Sequence, residues 1–391
     1  MGRQHVGHGE IVAFAQDKVN LPKDKADEYR AQARRLREKL EGYLGEHPDF
    51  TLKKMMLSGS LAKGTALRSL NDIDVACYVS GADAPKDVRA LLDYLAERLR
   101  KAFPNFSPDQ VQPQTYSVTV SFRGTGLDVD VVPILYDGDA QWYGNLVSQD
   151  DGSFLKTSIP LHLDFAAKRK RAQEKHFAQV VRLVKFWARR MKQERDGFRF
   201  KSFMIEMVLA KLCDDGLDFS DYPEALQHFF TYIARTDFRQ RIVFTDYYPA
   251  SSVAALNDTV QIIDPVNAAN NVARLYTTAN ADAIVEAALD AGDAIDAALA
   301  ALRAEHADLW FVIRDGEGHQ LSEGTVPAEF APIASSLDHV SEARLKWNAA
   351  EVTRPAGLVK WVDTSAGRIQ ILTGTYGQLS MWRALESTPL L

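Results

Sequence analysis

Two predicted strands of this 391-residue chain carry aspartates within apolar sequence, and this feature limits the fold more than any other. Asp72 and Asp74 lie two residues apart in one strand, and Asp128 and Asp130 lie two apart in another. Because alternate residues of a strand face the same side, each pair presents both carboxylates on one face of a sheet. Such a cluster is electrostatically unfavourable unless cations bind to it. The pattern therefore predicts a mixed sheet that binds divalent cations. Mg²⁺ suits it because Mg²⁺ prefers oxygen ligands and retains waters and substrate phosphates.

A segment of small residues, from Leu57 to Thr65, precedes the first aspartate pair. Gly59 allows a ligand to approach the backbone closely, and the Ser60 hydroxyl and the following amides can donate hydrogen bonds to phosphate oxygens. An isolated Gly-Ser pair carries little information, and an isolated Asp-x-Asp is usually a turn or a surface pair. Their order in this chain, with a second acid-bearing strand downstream, favours a phosphate-binding loop beside a metal site.

The elements around these motifs predict an α/β sheet followed by helices. Leucines at helical spacing predict a long amphipathic helix over Lys23–His47, and a second helix is predicted over Pro85–Ala102. Alternating apolar residues predict strands at 118–122 and 127–134. From about residue 162 to 302 the pattern is helical, and nearer the C-terminus apolar runs bounded by glycine turns predict β-hairpins.

Composition excludes several classes of protein. The sequence has no run of 18 apolar residues and no apolar signal region at its N-terminus, so we expect no membrane span, no secretion and a cytoplasmic location. Two cysteines are too few for a disulfide framework or a four-cysteine zinc site. The net charge of −6 argues against a protein that coats nucleic acid.

The stretch Lys168–Lys192 nevertheless holds ten basic residues and one acid, which indicates a local anionic ligand or, alternatively, a solvated helix face.

The motifs taken together resemble those of a known superfamily. Gly59-Ser60, Asp72-Ile73-Asp74 and Asp130-Val131-Val132-Pro133 resemble the signature of the DNA polymerase β-like nucleotidyltransferases. Within them the chain is most similar to the bacterial cGAS/DncV-like nucleotidyltransferases (CD-NTases), the CBASS oligonucleotide cyclases, which are related to oligoadenylate synthase. The resemblance implies that the Gly-Ser loop and Lys63 contact a donor triphosphate. It also implies that three catalytic aspartates hold two Mg²⁺ ions, for which Mn²⁺ can substitute. These are Asp72, Asp74 and the acid directly before Val-Val-Pro, Asp130, rather than Asp128.

Three further matches extend the resemblance to a span of about Leu57 to Val272. Lys185 matches a triphosphate-binding lysine on a basic helix, and Ser202 matches a phosphate-binding serine that opens the next helix. The segment Ile263–Val272 resembles the Asp-Pro…Asn-Asn segment beside the cleft of oligoadenylate synthases, which adds three cleft candidates: Asp264, Asn270 and Asn271. Without the resemblance, Lys185 would be interpreted as a solvated side chain, Ser202 as a helix cap and the segment Ile263–Val272 as an ordinary loop.

The resemblance also implies an architecture. We expect an α/β (α+β) fold in which residues 1–165 form a polymerase β-like palm domain with a mixed β-sheet and a long N-terminal helix. We expect residues 166–305 to form a mostly helical lobe like the second domain of oligoadenylate synthase. Residues 306–391 are expected to form a small β-rich segment, to which the sequence assigns no role.

The function implied is template-independent nucleotidyl transfer, with ATP among the nucleoside triphosphate (NTP) substrates. A ribose hydroxyl attacks the donor α-phosphorus, pyrophosphate leaves, and a second round closes a cyclic di- or trinucleotide that signals in CBASS antiphage defence. We expect an activating protein partner and no membrane. Activation by double-stranded DNA is not expected, because the zinc-binding segment of the animal cyclic GMP-AMP synthase has no counterpart here. Linear oligonucleotide synthesis, another nucleotidyl transfer and a nucleotide-binding sensor without catalysis remain as alternatives.

Overall fold

The computed structural model describes residues 7–47, 52–70, 72–80, 85, 87–148 and 153–295, and the strands between residues 310 and 385. The chain divides into two compact units. One unit comprises His8–Ala225 and Arg241–Thr277, and the other includes Leu226–Gln240 and Thr278–Leu391. The domain boundaries predicted at residues 165 and 305 remain a prediction.

The first unit begins with helices and continues into a sheet. Its elements are, in chain order, α1 (His8–Phe14), a short π-helix (Ala15–Val19), α2 (Lys23–Glu46), β1 (Leu52–Leu57), α3 (Gly59–Lys63), β2 (Asp72–Ser80), α4 (Val88–Ala102), β3 (Val111–Pro113), β4 (Val118–Phe122), β5 (Leu127–Tyr136), β6 (Gly144–Val147) and β7 (Phe154–Thr157). The two predicted helices and the predicted strands are thus confirmed, with ends that differ by a few residues. A short 3₁₀ turn, Pro108–Gln110, precedes β3.

The seven strands form one mixed sheet in the order β1-β2-β5-β4-β3, and β6 and β7 extend it from β5. Strands β2 and β5 run parallel, whereas every other pair is antiparallel. A parallel pair requires a long crossover, which α4, β3 and β4 supply here. The strands that carry the aspartates are therefore neighbours at the centre of the sheet.

The hydrophobic core on one face of the sheet fixes which way the aspartates point. Leu36 and Leu40 of α2 and several leucines of α4 pack on this face with Ile73 and Val129. Ile73 and Val129 are fully buried, and each follows an aspartate in its strand. Because side chains alternate across a strand, the four aspartates face the opposite side of the sheet. Burial of each leucine stabilises this arrangement by about 2 kcal/mol.

The remaining elements of the described chain are mainly helices. They are α5 (Ile159–Ala172), α6 (Glu174–Glu194), α7 (Ser202–Asp214), α8 (Tyr222–Arg235), a 3₁₀ turn (Ala250–Ser252), β8 (Ile263–Asp264), β9 (Asn267–Asn271) and α9 (Thr278–Ile295). The apolar side chains predicted for one face of α6 are buried: Phe177, Val181, Val184 and Ala188. The continuous helical pattern predicted from 162 to 302 is wrong between α8 and α9, where Arg241–Thr277 contains only turns and the β8–β9 hairpin. Pro249 and Pro265 disfavour helix at the residue before each, and the Asp264 carboxylate accepts a hydrogen bond from the Val266 amide.

The C-terminal strands form two small antiparallel sheets. Their strands are β10 (Trp310–Arg314), β11 (Gln320–Glu323), β12 (Ala349–Arg354), β13 (Gly357–Thr364), β14 (Gly367–Gly374), β15 (Gln378–Trp382) and β16 (Ala384–Leu385). One sheet has the order β11-β10-β15 and the other β12-β13-β14-β16. The hairpins predicted from the sequence, such as β13–β14, are confirmed. Among the described helices, none has the length and apolar character needed to cross a membrane.

Candidate active site

The parallel register of β2 and β5 brings the predicted aspartates together. Asp74 lies opposite Asp130, and Asp72 lies opposite Asp128, all on the same face of the sheet. The Thr119 hydroxyl of the adjoining strand β4 donates a hydrogen bond of 2.6 Å to Asp130 Oδ1 and so orients this carboxylate. The structure therefore gathers the three aspartates that the sequence singled out, and it places Asp128 beside them.

The aspartates raise one another's affinity for protons. Burial, followed by repulsion from Asp72 and Asp130, raises the pKa of Asp74 to about 6, although Lys63 and Lys185 oppose the shift. Burial also raises the pKa of Asp130, and the hydrogen bond from Thr119 offsets part of that change. Burial and mutual repulsion therefore both disfavour the charged form of these carboxylates, and a cation bound beside them would favour it.

The aspartates can supply part of the ligands of a magnesium ion, and water and substrate phosphates would supply the rest. Within the described ranges, no three His, Cys, Asp or Glu side chains form a complete metal-binding group. Mg²⁺ does not require one, because one or two carboxylates with water and substrate phosphates usually suffice. Carboxylates on the adjacent strands β2 and β5, with excess negative charge, are the donors that such an ion takes.

The Gly-Ser loop lies directly against one of these carboxylates. The Ser58 amide donates to the Asp74 carbonyl at 2.9 Å, and the chain then turns into α3 at Gly59, whose φ is +62°. A Cβ atom at this glycine would lie 1.8 Å from Asp74 Oδ2. Only glycine allows both this backbone conformation and this close approach. The loop and the acid site therefore form one structure.

A cavity of about 640 Å³ lies beside the loop. Its lining includes all but one of the predicted metal and phosphate residues: Gly59, Ser60, Lys63, Asp72, Asp74, Lys185 and Ser202. Asp130 is the exception, and it adjoins the cavity through its register position opposite Asp74. Ser202 is the first residue of α7 and not its cap, which is Lys201. Carboxylates, hydroxyls and lysines thus share one open cavity, a combination suited to a metal-bound polyphosphate.

Two lysines of this cavity share a buried carboxylate that the sequence analysis did not identify. Glu206 of α7 accepts from Lys63 Nζ at 2.7 Å through Oε2 and from Lys185 Nζ at 2.6 Å through Oε1. Lys185 also donates to Thr65 Oγ1 at 3.0 Å. Because Lys185 is only 6% exposed, its interpretation as a solvated lysine is wrong. The sequence could have indicated Glu206 through one feature: it is an acidic residue next to Met207 in a mainly apolar helix, one turn after Ser202.

A second cavity of about 290 Å³ adjoins the first and shares four lining residues with it: Gly59, Lys63, Lys201 and Phe203. Apolar side chains line much of it: Leu146, Leu155, Ile159, Leu163 and Val272. Its polar wall includes Asp264, which lies 3.4 Å from His162 Nε2 and accepts from Asn270 Nδ2 at 3.1 Å.

The predicted cleft residue Asn271 does not line either of these two cavities. Its side chain is buried, where it accepts from the Ile262 amide and donates to Val260 and Asp258. These contacts stabilise the β8–β9 hairpin that presents Asp264 and Asn270.

Two residues of the basic stretch hold the backbone of the Gly-Ser loop. Lys170 Nζ donates to the Lys63 carbonyl at 3.0 Å, and Arg182 donates to the Gly64 carbonyl at 2.5 Å. Arg182 also contacts Asn20, which precedes α2. The solvated-face interpretation therefore fails for these residues, since burial lowers the pKa of both Lys170 and Arg182.

Tyr116 is a further neighbour of the aspartates that sequence reasoning missed. Burial, with the negative charges of Asp130, Asp74 and Asp72, raises its pKa to about 12. The phenol therefore stays protonated at neutral pH and remains a hydrogen-bond donor. It lies just before β4, outside any motif.

Comparison with known proteins identifies close relatives of the chain. No family model matches it. It is 72% identical over 298 residues to the cyclic AMP-AMP-AMP synthase of Escherichia coli strain MS 115-1, a match that covers 76% of this chain and 93% of the relative. It is also 34% identical over 273 residues to the CBASS oligonucleotide cyclase CdnC of Escherichia coli strain KTE188, covering 68% and 84% of the two chains.

Solved structures agree with these matches. CdnC of E. coli MS115-1 with ATP superposes with a TM-score of 0.73 at 73% identity, covering 75% of this chain and 93% of that one. The same protein in complex with HORMA-deltaN gives a TM-score of 0.72 at 71% identity, covering 76% and 93%. The CD-NTase CdnG of Bradyrhizobium diazoefficiens, at 13% identity and a TM-score of 0.55 over 76% of this chain and 94% of that one, supports the fold alone.

These relatives confirm the resemblance, the fold class and the enzymatic function that the sequence implied. The chain belongs to the CBASS oligonucleotide cyclases, the CD-NTase family of nucleotidyltransferases that synthesise cyclic oligonucleotides.

Proposed function

We propose that this chain joins three ATP molecules into a cyclic trinucleotide and releases pyrophosphate at each step. One observation carries the proposal: Asp74 and Asp130 lie side by side on neighbouring strands, next to the Gly59 loop. The choice of ATP and of a three-membered ring rests on the relative that is 72% identical and is named a cyclic AMP-AMP-AMP synthase.

The donor nucleotide is proposed to occupy the larger cavity. Ser60, Lys63, Lys185 and Ser202 line it together with Asp72 and Asp74. Hydroxyls and lysines bind phosphate oxygens, so we propose that the triphosphate contacts these groups beside the aspartates. The chain thereby holds the α-phosphorus beside β2 and β5, and positioning of this kind is the main contribution of a protein to phosphoryl transfer.

Asp72, Asp74 and Asp130 would hold Mg²⁺, and we propose two ions, for which Mn²⁺ can substitute. When bound, such ions activate an attacking hydroxyl and neutralise the charge that develops on the leaving oxygen. The family as a whole uses divalent metals, and the excess negative charge at Asp74 supports their binding here.

The acceptor nucleotide is proposed to place its base in the second cavity, next to the donor site. The apolar lining with a few polar groups is typical of small-molecule sites. Its ribose hydroxyl forms a bond to the donor α-phosphorus while the bond from that phosphorus to the bridging oxygen breaks. Pyrophosphate departs, and the hydroxyl proton passes to an acceptor such as the Asp130 carboxylate. A final intramolecular step closes the ring.

We propose that a protein partner controls this activity. The relative that is 71% identical has been solved in complex with a HORMA-domain protein, which supports a partner of that class. The proposed substrates of this chain are nucleoside triphosphates, which are present in the cytoplasm, and we propose that the chain acts there.

The experiment is an incubation of the purified chain with labelled ATP and Mg²⁺, with and without a HORMA-domain protein, followed by phosphatase. A phosphatase-resistant product with the mass of cyclic tri-AMP is expected. A phosphatase-sensitive product would support a linear oligonucleotide instead, and binding of ATP without any product would support a sensor. The double variant Asp72→Asn/Asp74→Asn is the control, and it is expected to retain its fold and to make no product.

A further inference from the structure

The contacts of Glu206 point to a role beyond packing. Its side chain is 8% exposed, yet its two carboxylate oxygens each accept from a different lysine of the larger cavity. Lys63 comes from α3, in the Gly-Ser loop, and Lys185 comes from α6. One carboxylate of α7 therefore joins the two other elements that face the phosphate end of the cavity.

The number of hydrogen-bond donors shows what the lysines retain. An ammonium group has three N–H donors. Among contacts within the described part of the chain, Lys63 Nζ uses one for Glu206, and Lys185 Nζ uses two, for Glu206 and Thr65. Thr65 Oγ1 also donates to Glu206 Oε1 at 3.1 Å, so both Glu206 oxygens and the Thr65 hydroxyl already take part in hydrogen bonds. Each lysine therefore has at least one N–H left for a phosphate oxygen without releasing Glu206.

Charge gives the second argument. Burial would raise the pKa of Glu206, but the charges of Lys185 and Lys63 outweigh burial and lower the pKa to about 2. Burial, together with repulsion from Lys63, lowers the pKa of Lys185, and Glu206 opposes this change. Asp74 and His162 are further titratable groups that interact with these lysines. The Glu206 carboxylate thus compensates the charge of two ammonium groups that it holds side by side.

We infer that Glu206 is a positioning residue that holds the ammonium groups of Lys63 and Lys185, as a charged pair, toward the phosphates of the donor nucleotide. The inference rests on the proposed function for the identity of that ligand. It assigns no contact between Glu206 and the nucleotide itself.

The test is calorimetric titration of wild type and Glu206→Gln with inorganic triphosphate, ATP and adenosine, in Mg²⁺. The amide removes the negative charge and presents an N–H donor to one lysine, so triphosphate and ATP are expected to bind about tenfold more weakly or worse. Adenosine, which has no phosphates, is expected to bind as to wild type. Glu206→Asp retains the charge and is expected to recover most of the lost affinity. Glu194→Gln, the same change in an exposed ion pair of α6, is the matched control and is expected to change nothing.

Three results would overturn the inference: equal binding of triphosphate to wild type and Glu206→Gln, a parallel loss of adenosine, or a Glu206→Asp variant as weak as Glu206→Gln. If Glu206→Gln does not fold, Glu206→Gln/Lys63→Met/Lys185→Met removes the three buried charges together. It is then expected to bind triphosphate within about threefold of Lys63→Met/Lys185→Met, because Glu206 acts through those two lysines. A larger additional loss contradicts the inference. Failure of wild type to bind ATP would instead reject the proposed function, so the two failures are distinguishable.

Discussion

At the scale of single residues, Gly59 is the described glycine at which an added Cβ would meet the closest neighbour. We expect Gly59→Ala to lower turnover at least about a hundredfold, because its Cβ would lie 1.8 Å from Asp74 Oδ2 and displace that carboxylate. Gly126→Ala is the matched control: its φ of +66° is similar, but nothing lies within 4 Å of the added Cβ. The control is expected to lose about 1 kcal/mol of stability and to retain turnover. Steady-state rates and thermal unfolding of both variants test this, and similar rates for the two would contradict it.

The pair Asp130 and Asp128 gives a second test at this scale, because both lie on the same face of β5. Asp130→Asn is expected to abolish product formation, since it removes a proposed metal ligand opposite Asp74. Asp128→Asn lies opposite Asp72 and is expected to retain at least about a third of the wild-type rate. Product formed over a Mg²⁺ titration is the measurement. Equal loss in the two variants would mean that the assignment of the third aspartate is wrong.

The residues that local pattern alone could group are close together in the chain. Gly59, Asp72 and Asp74 lie within one loop and strand, whereas Asp130, Lys185 and Ser202 were assigned through the family resemblance. Glu206 and Tyr116 were missed because their importance arises from contacts with residues far away in the chain. Nothing in the sequence around Glu206 specifies which cations approach it.

At the scale of elements, Arg169 joins three parts of the first unit. Its buried guanidinium, on α5, donates to Asp214 at the end of α7 and to both oxygens of Asp246 in the segment after α8. Arg169→Met is expected to destabilise the fold by about 3 kcal/mol, because it leaves two carboxylates without their buried partner. Arg171→Met, whose side chain is 67% exposed on the same helix, is expected to cost less than about 0.5 kcal/mol. Urea unfolding of both variants provides the comparison, and equal midpoints would refute the structural role of Arg169.

Periodicity predicted α2, α4 and β4 well because each buries one regular face in the same core. It was wrong for Arg241–Thr277, where isolated apolar residues mimic helical spacing and local hydrogen bonds decide the conformation. The parallel pairing of β2 with β5 was also beyond the sequence, since alternation fixes the face of each strand but not its neighbour.

At the scale of the whole molecule, the Glu206 cluster predicts an acid-sensitive component of stability. The pKa of Glu206 is about 2 in the fold and near 4.5 when the chain is unfolded, so its stabilising effect is complete above pH 4.5 and is lost as the pH falls toward 2. At about 1.4 kcal/mol for each pKa unit, the effect is on the order of 3 kcal/mol at pH 7. The free energy of unfolding of wild type minus that of Glu206→Gln should therefore shrink between pH 5 and pH 2. A difference that stays constant with pH would contradict the ion-pair origin.

The hydrogen bonds from Lys170 and Arg182 to the Lys63 and Gly64 carbonyls have a consequence for ligand affinity. Because Lys170 and Arg182 hold these two carbonyls, the backbone of the loop is fixed before a nucleotide binds. A preorganised receptor gives up little conformational entropy on binding, so most of the attraction between its donors and an incoming phosphate survives as net affinity.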